Sequence, residues 1–154
     1  MVVRQIDPAA RVRSIVVPSR DQLLRVLSIA HEHSGLRGGR GLSLRRLIEE
    51  ADYRALRPRV QASQLAAVLQ AEPHLADDWL AYSEDKRTSF GWGFGPSREG
   101  EWLVEGPEGI CEVFASRFDA CANYVLRELD FWAVIGNTAE PGAAADPGHG
   151  PCVP

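Results

Sequence analysis

Lysine is almost missing from this chain: of 17 basic residues, 16 are arginine and only Lys86 is lysine. Such a bias fits a GC-rich coding sequence and says little about partners. Cysteine is scarce as well. The three present, Cys111, Cys121 and Cys152, are odd in number and have no C-x-x-C spacing, so neither a fully paired disulfide framework nor a zinc or redox motif follows from them. Cys111 and Cys121 sit among apolar neighbours and read as small core residues. No apolar run approaches the roughly 20 residues of a membrane helix. The opening Met1-Val-Val-Arg-Gln-Ile-Asp-Pro lacks the charged, apolar and small-residue order of a signal peptide, so cytoplasmic residence with no membrane association is expected.

What remains is the balance of a folded domain: 154 residues, 45% apolar, 25% charged and 8% aromatic. The formal net charge of -4 conceals an asymmetry. Residues 1–60 hold 12 arginines against 6 acids, and residues 61–154 hold 5 bases against 15 acids, so the halves carry +6 and -10. Such a split suits a basic face for a polyanion, an acidic face for a basic protein, or two halves that attract each other.

Helix signals dominate the first half. Residues 1–18 form an arm of uncertain order. Ser19 and Gln22 have the spacing of a capping box, which predicts a helix to about His33 with Leu23, Leu24, Leu27 and Ala30 on one face. Ser43 caps a short helix over 44–51, a third helix covers 62–71, and Pro73 opens a fourth in which Leu75, Trp79 and Tyr82 form one stripe. The period then changes. Phe90, Trp92 and Phe94 alternate with glycines as in a strand, and two more strands are expected over 101–105 and 110–115. Ser116 caps a last helix whose Phe118, Cys121, Ala122, Val125, Leu129 and Trp132 lie near one face and can cover the sheet. The expected class is α+β: an N-terminal helical layer, a three-stranded antiparallel meander and a closing C-terminal helix, one domain over 19–135. Residues 136–154 contain 4 Gly and 4 Pro and read as a disordered tail.

No residue pattern demands catalysis. The pair Glu84-Asp-Lys86, with Asp77 or Asp78 upstream, is similar to the E-x-K core of restriction-type nucleases, but those pairs sit on an apolar strand and this one lies in a polar stretch over 83–89. His31 and His33 are two apart, which points them in different directions on a helix, so no metal or other cofactor is expected. The loop Leu36-Arg-Gly-Gly-Arg-Gly41 lacks the P-loop pattern and reads as a flexible surface loop. Arg37, Arg40, Arg45, Arg46, Arg54, Arg57 and Arg59 crowd into 23 positions and could neutralise phosphates, so a winged-helix-like nucleic-acid regulator is the alternative. Against it, the candidate reading helix over 62–71 has no basic residue.

The order Trp79-Leu-Ala-Tyr-Ser-Glu-Asp-Lys-Arg87, then Gly91-Trp92, a short meander, and Phe114-Ala-Ser-Arg-Phe-Asp-Ala-Cys-Ala122 opening a terminal helix resembles small bacterial immunity-type proteins of polymorphic toxin systems. The resemblance spans about 55 residues of the second half. It implies a non-enzymatic bacterial protein that binds a cognate toxin domain and blocks its active site. Independently, the acidic second half suits fast association with a basic cleft. The candidate contacts are Asp77, Asp78, Glu84, Asp85, Lys86 and Arg87, with Trp79, Tyr82 and Trp92 bracing the loop that presents them.

Overall fold

A computed structural model describes residues 16–86 and 91–138, with backbone alone for 136–138. Helices α1 (Arg20–Leu27), α2 (Ile29–His33), α3 (Leu44–Glu50), α4 (Tyr53–Leu56), α5 (Ala62–Ala71) and α6 (His74–Asp85) come first. Strands β1 (Gly93–Pro96), β2 (Trp102–Glu105) and β3 (Cys111–Phe114) and helix α7 (Arg117–Thr138) follow. This is the α+β arrangement expected. The sheet order is β1-β2-β3, both pairs antiparallel, with Phe94 opposite Val104 and Val104 opposite Glu112.

Local chemistry sets most boundaries. Ser19 and Gln22 form the expected capping box at α1, and the Ser43 hydroxyl accepts from the Arg46 amide at 3.3 Å. Ser116 does the same for Asp119 at the start of α7. The helix expected over 19–33 is broken at Ser28 into α1 and α2. Helix α6 runs further than its apolar stripe, through Ser83, Glu84 and Asp85, so those residues occupy its last turn and the loop begins later. Strand β1 starts at Gly93. Trp92 therefore precedes it, and Phe90 lies outside the described residues. Helix α7 continues through Gly136 to Thr138, past the expected boundary at 135; the remainder of the proposed tail and residues 1–15 of the arm lie outside the described residues.

Helix α7 is the centre of the molecule. It packs on α5, α3 and α6 and also against all three strands, so its buried arc is wider than one amphipathic stripe. Ala120, Cys121, Ala122, Tyr124, Val125 and Leu129 are fully inaccessible, and so is one charged residue, Glu128. On the inner face of the sheet the Phe94 ring lies between Trp102 and Tyr124, at 5.4 and 5.6 Å between centroids. Cys111, grouped with the core above, is exposed, because the pleat puts it on the outer face with Val113; Cys121 is the core thiol, and burial pushes its ionisation up.

The Trp92 ring packs against Gly106, where a Cβ would come within 2.7 Å of three ring carbons. The Arg127 guanidinium sits 4.6 Å from the centroid of the same ring. Gly106→Ala must therefore displace the indole, and a loss of about 1–3 kcal/mol is expected for such overpacking. A thermal melt of this variant that overlays the wild type would contradict it.

Candidate functional site

The expected contact residues do not share one environment. Asp77 is exposed but pairs with Arg117 at 2.9 Å. Asp78 is only 15% exposed and faces Arg37 at 3.8 Å and His31 at 3.5 Å. Glu84 and Asp85 are exposed, with no ion pair among the described residues. Lys86, placed above among the surface charges, is turned inward: its side chain is 9% exposed and its ammonium lies 2.8 Å from Glu128 Oε1. Arg87 lies outside the described residues.

The inward turn of Lys86 is explained by Glu128, which the residue pattern did not single out. Glu128 Oε1 accepts from the Lys86 ammonium, from the Tyr82 hydroxyl at 3.0 Å and from the Trp132 indole at 2.9 Å. Its Oε2 accepts from the Trp92 amide at 2.9 Å. The Lys86 ammonium also donates to the Trp92 carbonyl and stands 5.9 Å from the Tyr124 ring centroid. The carboxylate thus ties the end of α6 and the start of the sheet to α7, and its lost hydration is replaced by four donors. Gly91 makes room: its φ is +92°, and a Cβ there would meet Glu128 Oε2 at 2.9 Å and the Lys86 nitrogen at 3.1 Å. Burial, followed by the charge of Glu128, holds the Tyr82 hydroxyl far above the usual range, so it serves this carboxylate as a donor.

The three residues named as braces are all packed. Trp79 is fully buried, its indole donating to the Leu27 carbonyl at 2.8 Å and its ring edge-on to Tyr82. Tyr82 and Trp92 converge on Glu128, as above.

Of the seven arginines over 37–59, all but Arg59 meet an acceptor among the described residues. Arg40 bridges Glu32 and Glu50, Arg45 pairs with Glu49, and Arg46 with Glu50. Arg54 donates to the Ala133 carbonyl, and Arg57 to Asp130, which also accepts from the buried Tyr53 hydroxyl. Arg20–Glu72, Arg37–Asp78 and Arg57–Asp130 join the two oppositely charged halves. Helix α5, the candidate reading helix, turns Leu65, Ala66, Val68 and Leu69 into the core.

Beside Glu84 and Asp85 a groove of 590 Å³ opens between α6, the 3-10 turn Gly35–Arg37, the start of α3 and Trp132 of α7. The loop read as mere surface thus forms one wall. The signal that could have marked it is Leu36, a large apolar side chain between glycine and arginine, which is fully exposed on the rim.

Among the described residues no helix is long and apolar enough to cross a membrane, and no three His, Cys, Asp or Glu side chains gather as a metal-holding group. No family model, curated protein or solved structure matches the chain.

Proposed function

We propose that the chain is a protein-binding module without catalytic activity, which docks on a cognate protein through the acidic C-terminal corner of α6. In the immunity-type form of this reading, the partner is a toxin domain in the cytoplasm whose basic active-site cleft is covered. The observation that carries it is the placement of Glu84 and Asp85. Both are exposed in the last turn of a helix, where the backbone dipole disfavours negative charge by about 0.3–1 kcal/mol each. Among the described residues the neighbouring cation, Lys86, does not relieve them, because it is committed to Glu128. Charge held at an intrinsic cost, on a firmly anchored helix end, is suited to a partner that supplies the counter-charge.

The same geometry separates binding from folding. The double variant E84K/D85K places positive charge at the favourable end of the dipole, so the free chain should melt at the same temperature or slightly higher. Its affinity for the partner should fall about tenfold or more at about 0.1 M salt, with a weaker salt dependence. The measurement is affinity capture from the native cell with tagged wild type and double variant, followed by titration of whatever the wild type alone retains. Growth arrest by that protein expressed alone, relieved by the wild type but not by the variant, supports the immunity form. If the folded double variant retains the same protein with unchanged affinity and salt dependence, the acidic-corner reading is wrong. The arginine segment gives little support to a nucleic-acid surface, since Arg40, Arg45, Arg46 and Arg57 already meet carboxylates.

A further inference from the structure

The groove beside the acidic corner has a composition that misleads. Tyr82, Lys86 and Trp132 all line it, yet the polar tip of each is turned away to the same oxygen of Glu128. What these side chains leave toward the opening is carbon: two ring surfaces and the lysine methylenes. Ala30, Leu44 and Ala81 complete an apolar floor. The buried carboxylate therefore does more than anchor the strand. It strips hydrogen-bonding capacity from the groove wall.

The two ends of the groove differ in charge. Asp78 and Asp85 are seven residues apart on α6, which spaces them by about 10 Å along the helix axis on nearly the same face. Asp78 is already matched by Arg37, with His31 Nδ1 3.5 Å away, and the other cations of the lining, Arg45 and Lys86, are paired with Glu49 and Glu128. Asp85 lines the groove without an ion pair among the described residues. An occupant is thus offered an apolar bed with one open negative end, and Leu36 on the opposite rim supplies a free apolar contact. A volume of 590 Å³ lies within the roughly 300–1,000 Å³ of ligand-sized sites and exceeds one aromatic side chain.

We propose that this groove receives a segment of the partner protein in which an aromatic or large aliphatic side chain is flanked by lysine or arginine. The apolar side chain enters between Ala81, Tyr82 and Trp132, and the basic neighbour meets Asp85. The proposal rests on the protein-binding reading above and specifies the chemistry of that partner. Buried anchors of this kind, ringed by polar contacts, carry most of the energy of protein interfaces.

The test uses three capped peptides, lysine-phenylalanine-lysine, serine-phenylalanine-serine and glutamate-phenylalanine-glutamate, titrated into the whole chain. The readout is the Trp132 indole N–H resonance, assigned by its loss in Trp132→Phe. The basic peptide should shift it near about 1 mM and bind about fivefold or more tighter than the acidic one, a preference that shrinks in Asp85→Asn. Ala81→Phe, which fills the groove, should abolish the shift. Should that variant fold poorly, Leu36→Ser, at a fully exposed position, should weaken binding with the melting temperature unchanged. Equal shifts from all three peptides, or none, overturn the proposal. So does a free phenethylammonium ion that binds as tightly as the basic peptide, which would make this a small-molecule site. In the capture experiment the two readings part: if Ala81→Phe and Leu36→Ser keep the partner while E84K/D85K lose it, the groove proposal fails and the acidic corner stands. Glu84→Lys, which leaves Asp85 in the groove, gives the converse: if it keeps the partner while Ala81→Phe and Leu36→Ser lose it, the corner falls and the groove stands.

Discussion

Glu128→Ala is expected to lower folding stability by about 3–5 kcal/mol, the cost of leaving a buried charge without its partner. The alanine strands a lysine whose side chain is 9% exposed, and it removes the acceptor from the Tyr82 hydroxyl, the Trp132 indole and the Trp92 amide together. Against a total of about 5–15 kcal/mol for a domain, this brings the chain near its unfolding threshold. The pair is expensive to break, yet it need not be a large net source of stability, because both charges surrendered their hydration to form it. The double replacement Glu128→Met with Lys86→Met should therefore recover most of the loss. Urea denaturation of wild type, single and double variants measures this directly. A single variant with an unchanged midpoint would show that water reaches Lys86 and that the cluster is not the clamp described. The double variant has a functional reading too: with no carboxylate to draw them in, the tips of Tyr82 and Trp132 regain the groove, and its preference for an apolar side chain should weaken.

How far this was legible in the residues depends on the range of the interactions. Capping at Ser19, Ser43 and Ser116 is decided within four positions, and the structure has those caps. The meander is punctuated by Gly100, Gly106 and Gly109, so its three strands fall within a few residues of where alternation puts them. Expectation and structure diverge where an outcome is set from afar. Ser83, Glu84 and Asp85 are polar and read as loop, but the Ser83 hydroxyl is held by the Phe94 amide at 2.8 Å and the following lysine is pulled onto α7, which carries the helix on by another turn. Glu128 stands on the α7 face of Val125, Leu129 and Trp132 by helical spacing alone. A charge on that face was a visible anomaly, while its four donors come from up to 46 positions away or from the next turn. Lys86 offered a second hint. The one lysine of a chain that otherwise uses arginine is the cation the fold turns inward, onto Glu128, the Trp92 carbonyl and the Tyr124 ring. The candidate carboxylates were identifiable as acidic residues, but which of them keep their charge free was not, since Arg37 and Arg117 reach Asp78 and Asp77 only in the folded chain.

Trp79→Ala should cost about 3–5 kcal/mol, by a different route. Trp79 is among the largest fully buried side chains, and its ring meets Tyr82 at 5.4 Å and Tyr124 at 6.0 Å edge to face. Its indole takes the carbonyl of Leu27, the last residue of α1, at the place where the expected long helix breaks. The break at Ser28 and the indole thus explain one another: the carbonyl at the end of α1 is completed by a donor from α6 rather than left bare. Alanine leaves both a cavity and that carbonyl without its indole partner, whereas Trp79→Phe fills much of the volume and should cost clearly less. Because Trp79 packs on Tyr82, and Tyr82 donates to Glu128, the two sites share a neighbour and their losses should not add. In a cycle built on Trp79→Phe and Glu128→Gln, each mild enough to leave a folded chain, the double variant is expected to lose less than the sum, with a coupling of about 0.5–1 kcal/mol. Strict additivity in chemical denaturation would mean that the aromatic packing beneath α6 and the buried carboxylate act independently, and that the acidic corner is held by either one alone.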